Sequence, residues 1–119
     1  MARDNTTSIG NAAESEALDW LEDQGLRVVE RNFRCKMGEI DLIMVDGNTL
    51  VFVEVRLRTN PGYMSGAESI SRTKIRRLIR TATWYLQTRG QSGTVECRFD
   101  VVSLGSRFEW IKNAFTLDD

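Results

Sequence analysis

The chain has 119 residues, 41% of them hydrophobic and 28% charged, an ordinary composition for one folded domain with a single core. Its 16 Lys and Arg nearly balance 17 Asp and Glu, so a net charge of −1 supplies no global field toward nucleic acid or membrane, and any electrostatic function rests on local clustering. No histidine occurs, which excludes Ser-His-Asp and Cys-His catalysis and most zinc sites, and leaves carboxylates, lysine or arginine and a hard metal ion to carry chemistry.

Residues Met1 to Ser8 are polar and lack anchors, which predicts a mobile tail ahead of a single domain over residues 9–115. A helix is expected from Ile9 to Gln24, stopped by Gly25, with Ala13, Ala17, Leu18, Trp20 and Leu21 inward. Glu14 falls at the edge of that inward face; the other acids of the helix belong to its solvated side, and spacing alone makes Glu14 a boundary glutamate. No apolar run approaches the roughly 18 residues of a membrane span, and no signal-peptide core stands at the N-terminus. With Cys35 and Cys97 isolated and outside any metal-ligand spacing, the expectation is a cytoplasmic protein with reduced thiols.

Leu26 to Phe33 reads as a first strand, joined by the basic connection Arg34-Cys35-Lys36-Met37 to the stretch Gly38 to Arg58. There, two apolar runs flank Asp46-Gly47, a strong hairpin signal. Strand alternation puts Glu39 and Asp41 on one face of the first arm, and Glu54, Arg56 and Arg58 on one face of the second. Acids embedded among Ile40, Leu42, Met44, Val51, Val53 and Val55 are costly unless paired, hydrated or bound to a metal. The loop through Asn60-Pro61-Gly62 follows, leaving directly from this charged strand.

A second helix is expected from Ser71 to Arg89, closed by Gly90, with Ile75, Leu78, Ile79, Ala82, Tyr85 and Leu86 as its apolar stripe. Its first half carries Arg72, Lys74, Arg76, Arg77 and Arg80 without an acid among them. A solvated face and an anionic partner are the two readings of that run. Thr94 to Leu104 is the last long strand, and Arg107 to Ile111 a short edge strand with Phe108 and Trp110 read as core. Asn113 to Phe115 tucks an aromatic back, and Thr116 to Asp119 forms a short acidic end.

Glu54 comes thirteen residues after Asp41, and Arg56 two residues after that. Two strand carboxylates converging across a hairpin make an oxygen-lined site of the kind Mg²⁺ or Mn²⁺ takes, able to activate water toward a phosphodiester. A cation on the same face can neutralise the phosphate, but arginine stays protonated and is a poor general base. The same spacing also suits plain structural ion pairs, Asp41–Arg56 or Glu54–Arg58.

The motifs Gly10…Glu14, Asn32-Phe33-Arg34, Gly38-Glu39-Ile40-Asp41-Leu42-Ile43, Phe52-Val53-Glu54-Val55-Arg56, Lys74 and Arg98-Phe99-Asp100-Val101-Val102 resemble those of the YraN-like family of bacterial proteins. That family is largely uncharacterised and is placed near Holliday-junction resolvases in the PD-(D/E)xK nuclease superfamily. The likeness runs from about Gly10 to Phe115. It implies an α/β, restriction-endonuclease-like αβββαβ core, a mixed sheet with a helix on each face. It also implies a DNA endonuclease, with branched DNA among its substrates, that uses Mg²⁺ or Mn²⁺.

Carried over by position, Asp41 and Glu54 resemble the acids of the two motif strands, and Glu14 the helix-one glutamate that completes the metal site. Glu39 is a further acidic candidate. Lys74 lies on the helix that often supplies a basic active-site residue. Arg56 stands where the superfamily usually has lysine, which leaves deprotonation of water to the metal or to Lys74. Arg72, Arg76, Arg77 and Arg80, with Arg34 and Lys36, are the expected phosphate contacts. A nucleic-acid-binding module of the same fold without catalysis is the alternative, and a structural protein with the acids as ion pairs is a third. Related resolvases are dimers, and the edge near Arg107 to Ile111 offers a strand for pairing across a two-fold axis.

Overall fold

The computed structural model describes residues 5–57, 70–89, 96–105 and 108–117, with residues 5–10 described by their backbone alone. Arg58, the Asn60-Pro61-Gly62 loop, Gly90, Thr94 and Arg107 lie outside these residues. The elements run α1 (Asn5–Asp23), β1 (Arg27–Cys35), β2 (Gly38–Asp46), β3 (Thr49–Leu57), α2 (Arg72–Thr88), β4 (Cys97–Leu104) and β5 (Phe108–Phe115). The five strands form one sheet in the order β1-β2-β3-β4-β5. Only β3 and β4 are parallel, and that pairing needs a crossover, which α2 supplies. The order and pairing are those of an α/β fold with a mixed sheet, compatible with a restriction-endonuclease-like core.

Each helix covers one face of the sheet, because the central strands β2 to β4 are apolar on both sides. Ala13, Ala17, Leu18 and Leu21 of α1 pack on Leu42, Met44, Val51, Val53, Val102 and Leu104. Leu78, Ala82, Tyr85 and Leu86 of α2 pack on Phe33, Ile43, Leu50, Phe52, Phe99 and Phe115. Phe108 and Trp110 join the α1 side, where their rings meet Trp20 at 4.3 Å and 5.3 Å. No helix among the described residues is long and apolar enough to cross a membrane.

Three elements extend beyond the sequence reading. The first helix begins at Asn5, not Ile9, so residues 5–8 are helical, and β1 runs on through Arg34 and Cys35, leaving Lys36-Met37 as the tight turn into β2. The last strand extends to Phe115, absorbing Asn113-Ala114. Polar composition hid the two strand extensions, because strand pairing overrides local preference.

The longer β5 is held by a buried acid. Between Phe99↔Phe115 and Val101↔Ile111 the register slips, so Lys112 to Ala114 bulge opposite Asp100, with Asn113 in a left-handed conformation (φ 53°). The amide that the bulge strands, Asn113 N–H, donates to Asp100 Oδ1 at 2.9 Å, and Trp110 Nε1–H donates to Asp100 Oδ2 at 2.9 Å. Arg98 completes the shell with Nε 3.0 Å from Asp100 Oδ1, and its other arm reaches Asp46 Oδ2 at 3.0 Å. Asp100→Ala would remove one of the two carboxylates that hold Arg98 and leave the Trp110 and Asn113 donors unsatisfied, so we expect a loss of about 3 kcal/mol, with Asp100→Asn costing less. Urea denaturation at unchanged m-value measures it, and wild-type stability in Asp100→Ala would show that the cage holds nothing together.

Candidate active site

The central hairpin is paired only near its turn. Leu42↔Val53 through Asp46↔Thr49 form the β2–β3 ladder, around a turn with Gly47 at φ 63°. Beyond Leu42 and Val53 the strands part, while β3 stays paired to β4 as far as Leu57. At the fork the Val55 N–H donates to Asp41 Oδ2 at 2.8 Å, so a side-chain carboxylate replaces the backbone acceptor that a continued ladder would supply. Asp41 and Glu54 are the first residues past the last backbone pair.

Asp41 also marks a slip in strand alternation. Ile40 packs in the α2-side cluster and Leu42, two residues on, in the α1-side cluster. The partner strand slips at the same level: Asn32, between the pairs Arg31↔Leu42 and Phe33↔Ile40, adopts φ 53°. Simple alternation therefore does not hold across this point, and the expected shared face of Glu39 and Asp41 does not follow from it. The carboxylate of Glu39 pairs with Arg34 at 3.0 Å and is 55% exposed. Its negative charge contributes only weakly to the environment of Asp41.

The fork gathers the three acids named from the sequence. Glu14 reaches it from α1, close enough to hydrogen-bond Asp41, and Asn32 also donates to the Glu14 side chain. Glu14 Oε1 is buried with no hydrogen-bond partner. Asp41 and Glu54 are within hydrogen-bonding reach of each other. Burial raises the pKa of all three above the ordinary carboxylate range, and mutual repulsion adds to it for Glu14 and Glu54. For Asp41 the Val55 N–H opposes the burial; Glu54, beside the Asp41 charge, is pushed up to about 7.

Two cations face Glu54. Lys74 Nζ lies 3.3 Å from Glu54 Oε2, and Arg56 NH1 lies 3.8 Å from the same oxygen. Lys74 is held there by the start of α2, where its own N–H donates to the Ser71 cap at 3.1 Å. Close approach of α2 to β2 depends on Gly38: at its φ of 148°, an added Cβ would stand 2.9 Å from Arg77 Cγ and 3.0 Å from Thr81 Oγ1. A cleft of about 320 Å³ opens beside this contact, lined by Arg34, Cys35, Gly38, Glu39, Lys74, Arg77 and Leu78. Arg72, Arg76, Arg77 and Arg80 are exposed, as are Arg34 and Lys36.

The donors at the fork are all oxygens, the set a hard divalent cation takes, and the orphaned Glu14 Oε1 is a group such an ion would satisfy. In kind, then, the residues fit Mg²⁺ or Mn²⁺. Among the described residues no group of three acids already stands in ligating geometry, and an ion would compete with Lys74 for Glu54. Asn32, Ser71, Gly38 and the Val55 amide support the site and were not singled out for it from sequence. The only local signal was Asn32, since asparagine tolerates the left-handed region.

The fold and this acid-and-cation fork define an α/β protein, compatible with a restriction-endonuclease-like architecture, that carries a carboxylate cluster at the divergence of its central strands. Residues 13–104 match the model of the uncharacterised protein family UPF0102, and the chain belongs to that family. It is 46% identical to a UPF0102 protein of Pseudomonas putida strain KT2440, covering 97% of this chain and 98% of the relative. It is 52% identical to UPF0102 proteins of Alkalilimnicola ehrlichii and Cupriavidus metallidurans, over 90% and 95% of this chain and 86% and 84% of theirs.

With chelator present, the folded protein holds the Glu54 proton up to about pH 7, whereas an unfolded chain releases it near 4.5. Stability therefore falls as pH rises through that window, by on the order of 2–3 kcal/mol for this pair. Glu54→Gln, which keeps a donor toward Asp41, should flatten the profile and be more stable than wild type at pH 8. Urea unfolding between pH 4.5 and 8 checks it, and parallel profiles for the two proteins would refute it.

Proposed function

We propose that this protein is a metal-dependent endonuclease acting on DNA, branched DNA included. The observation that carries the reading is the convergence of Glu14, Asp41 and Glu54 where β2 and β3 part, with Lys74 and Arg56 directly against Glu54. Asp41, Glu54 and Glu14 would hold Mg²⁺ or Mn²⁺, which when bound lowers the pKa of water and offsets charge on the phosphodiester. The Arg56 guanidinium, permanently charged, neutralises a phosphate oxygen at this point and takes no proton. Of the two cations at the fork, Lys74 is the one that can give up or take a proton, at Nζ. Arg72 and Lys74 sit in the first turn of α2, where the helix dipole already favours anions and acids are absent. With Arg76, Arg77 and Arg80 they form a phosphate-contacting row, and the reading carries a cytoplasmic location and reduced Cys35 and Cys97.

A binding module of the same fold is the second reading, and one observation favours it. Glu54 already meets two cations, and arginine stands at the position from which a lysine could take a proton from water. The test is binding and cleavage of labelled branched, duplex and single-stranded DNA with Mg²⁺, Mn²⁺ or chelator. Under the enzyme reading, wild type cleaves with metal and Asp41→Asn loses on the order of a hundredfold or more. Salt-sensitive binding with no cleavage under either metal selects the module, and neither binding nor cleavage removes both.

Two further outcomes follow from the enzyme reading. Arg56→Lys should raise the cleavage rate. Mn²⁺ should raise the Tm of wild type but not of Asp41→Asn; equal shifts in both would remove Asp41 from the metal site.

A further inference from the structure

The outer side of α2 continues past the proposed site into a feature that site does not use. Cys35, which lines the cation-rich cleft beside Lys74, also lines a groove of about 550 Å³ shared with Lys36, Met37 and Trp84. Trp84 and Met37 are the exposed apolar groups here, 42% and 37% accessible, and Arg80 joins them on the adjoining wall. Among the described residues Trp84 takes part in no aromatic pair, unlike Trp20 and Trp110, which meet edge to face against the core. An accessible indole flanked by Arg80 and Lys36, with no acid among the described residues that line the groove, has the composition of a stacking platform for bases on an anionic backbone.

Spacing along the helix agrees. Lys74, Arg77, Arg80 and Trp84 follow one another at intervals of three or four residues, so they share one side of α2. The ten residues from Lys74 to Trp84 span about 15 Å at 1.5 Å each, and stacked nucleotides at 3.4 Å each cover that distance in about four steps. A duplex keeps its bases stacked on one another and hides their faces, so this indole can take a base only from an unpaired strand. Apolar exposure of this kind also serves protein contacts, but the cations continuous with the cleft favour a polyanion.

Resting on the nuclease-or-binding reading above, we infer that the Met37–Trp84 groove stacks an unpaired nucleobase about four nucleotides along the strand from the phosphate at Lys74. The preferred substrate is therefore DNA with a single-stranded arm or an opened branch point, not uniform duplex. Phosphates run over Arg77 and Arg80, and the indole sets how far the unpaired strand must extend.

The test measures affinities of labelled oligothymidylates of two to ten nucleotides, and of a duplex, for wild type, Trp84→Ala, Trp84→Phe and Arg80→Ala at several salt concentrations. Wild-type affinity should step up as the oligomer reaches about four or five nucleotides. Trp84→Ala should remove the step and lower the ratio of single-strand to duplex affinity roughly 5- to 100-fold, with an unchanged salt slope. Trp84→Phe should restore most of the ratio, and Arg80→Ala should instead weaken both forms and reduce the salt slope by about one. An unchanged ratio in Trp84→Ala, with salt-sensitive duplex binding intact, overturns this inference and leaves the parent reading standing. A change in mass by light scattering in Trp84→Ala without a change in the ratio makes the groove an interface between copies and likewise overturns it. Absence of any nucleic-acid binding by wild type overturns both.

Discussion

One carboxylate holds the hairpin open. Where β2 and β3 could have continued their ladder, Asp41 accepts the Val55 N–H through its side chain, and the backbones separate. A buried amide must find an acceptor, so this bond removes the penalty that would otherwise drive the strands back together. The separation admits Glu54 from the α2 side and Glu14 from α1 to the same point. Fold and site are therefore one arrangement: the residue that interrupts the sheet is the residue around which the acids gather.

That arrangement is electrostatically uncomfortable, and the rest of the architecture contains it. Three carboxyls in contact within a largely buried environment favour protonation, and Glu54 lies at the extreme of that tendency. The relief comes from outside the sheet, from Lys74 and Arg56. Lys74 arrives because Ser71 caps α2 and Gly38 lets the helix settle against β2. The cage around Asp100 contrasts with the fork: there a buried acid has an arginine, an indole and an amide aimed at it, with its bonding complete. Satisfied acids stabilise, while crowded acids with an orphaned oxygen are the pattern expected where a ligand supplies the missing partner.

The sheet also explains why one helix carries the cations. As the crossover between parallel β3 and β4, α2 must run along the face that bears Glu54, and its outer side stays open to solvent. Arg72, Arg76, Arg77 and Arg80 are thereby carried, exposed, on the same rigid element that brings Lys74 to the fork. In a chain with almost no net charge, such placement is what makes a local positive surface.

Much of this arrangement is legible in the amino-acid sequence. The Asp46-Gly47 signal fixed the hairpin, the stripe from Ile75 to Leu86 fixed α2, and Glu14, Asp41, Glu54, Arg56 and Lys74 were named from pattern and resemblance, because period and turn chemistry are local properties. The tertiary structure alone decided where alternation fails. Asn32 and Asp41 slip together across two strands, the bulge at Asn113 lengthens β5, and Gly38 acquires its purpose only against Arg77. Each of these is a contact between segments distant in sequence, and whether a backbone group finds its partner in a strand or in a side chain is settled only when those segments meet.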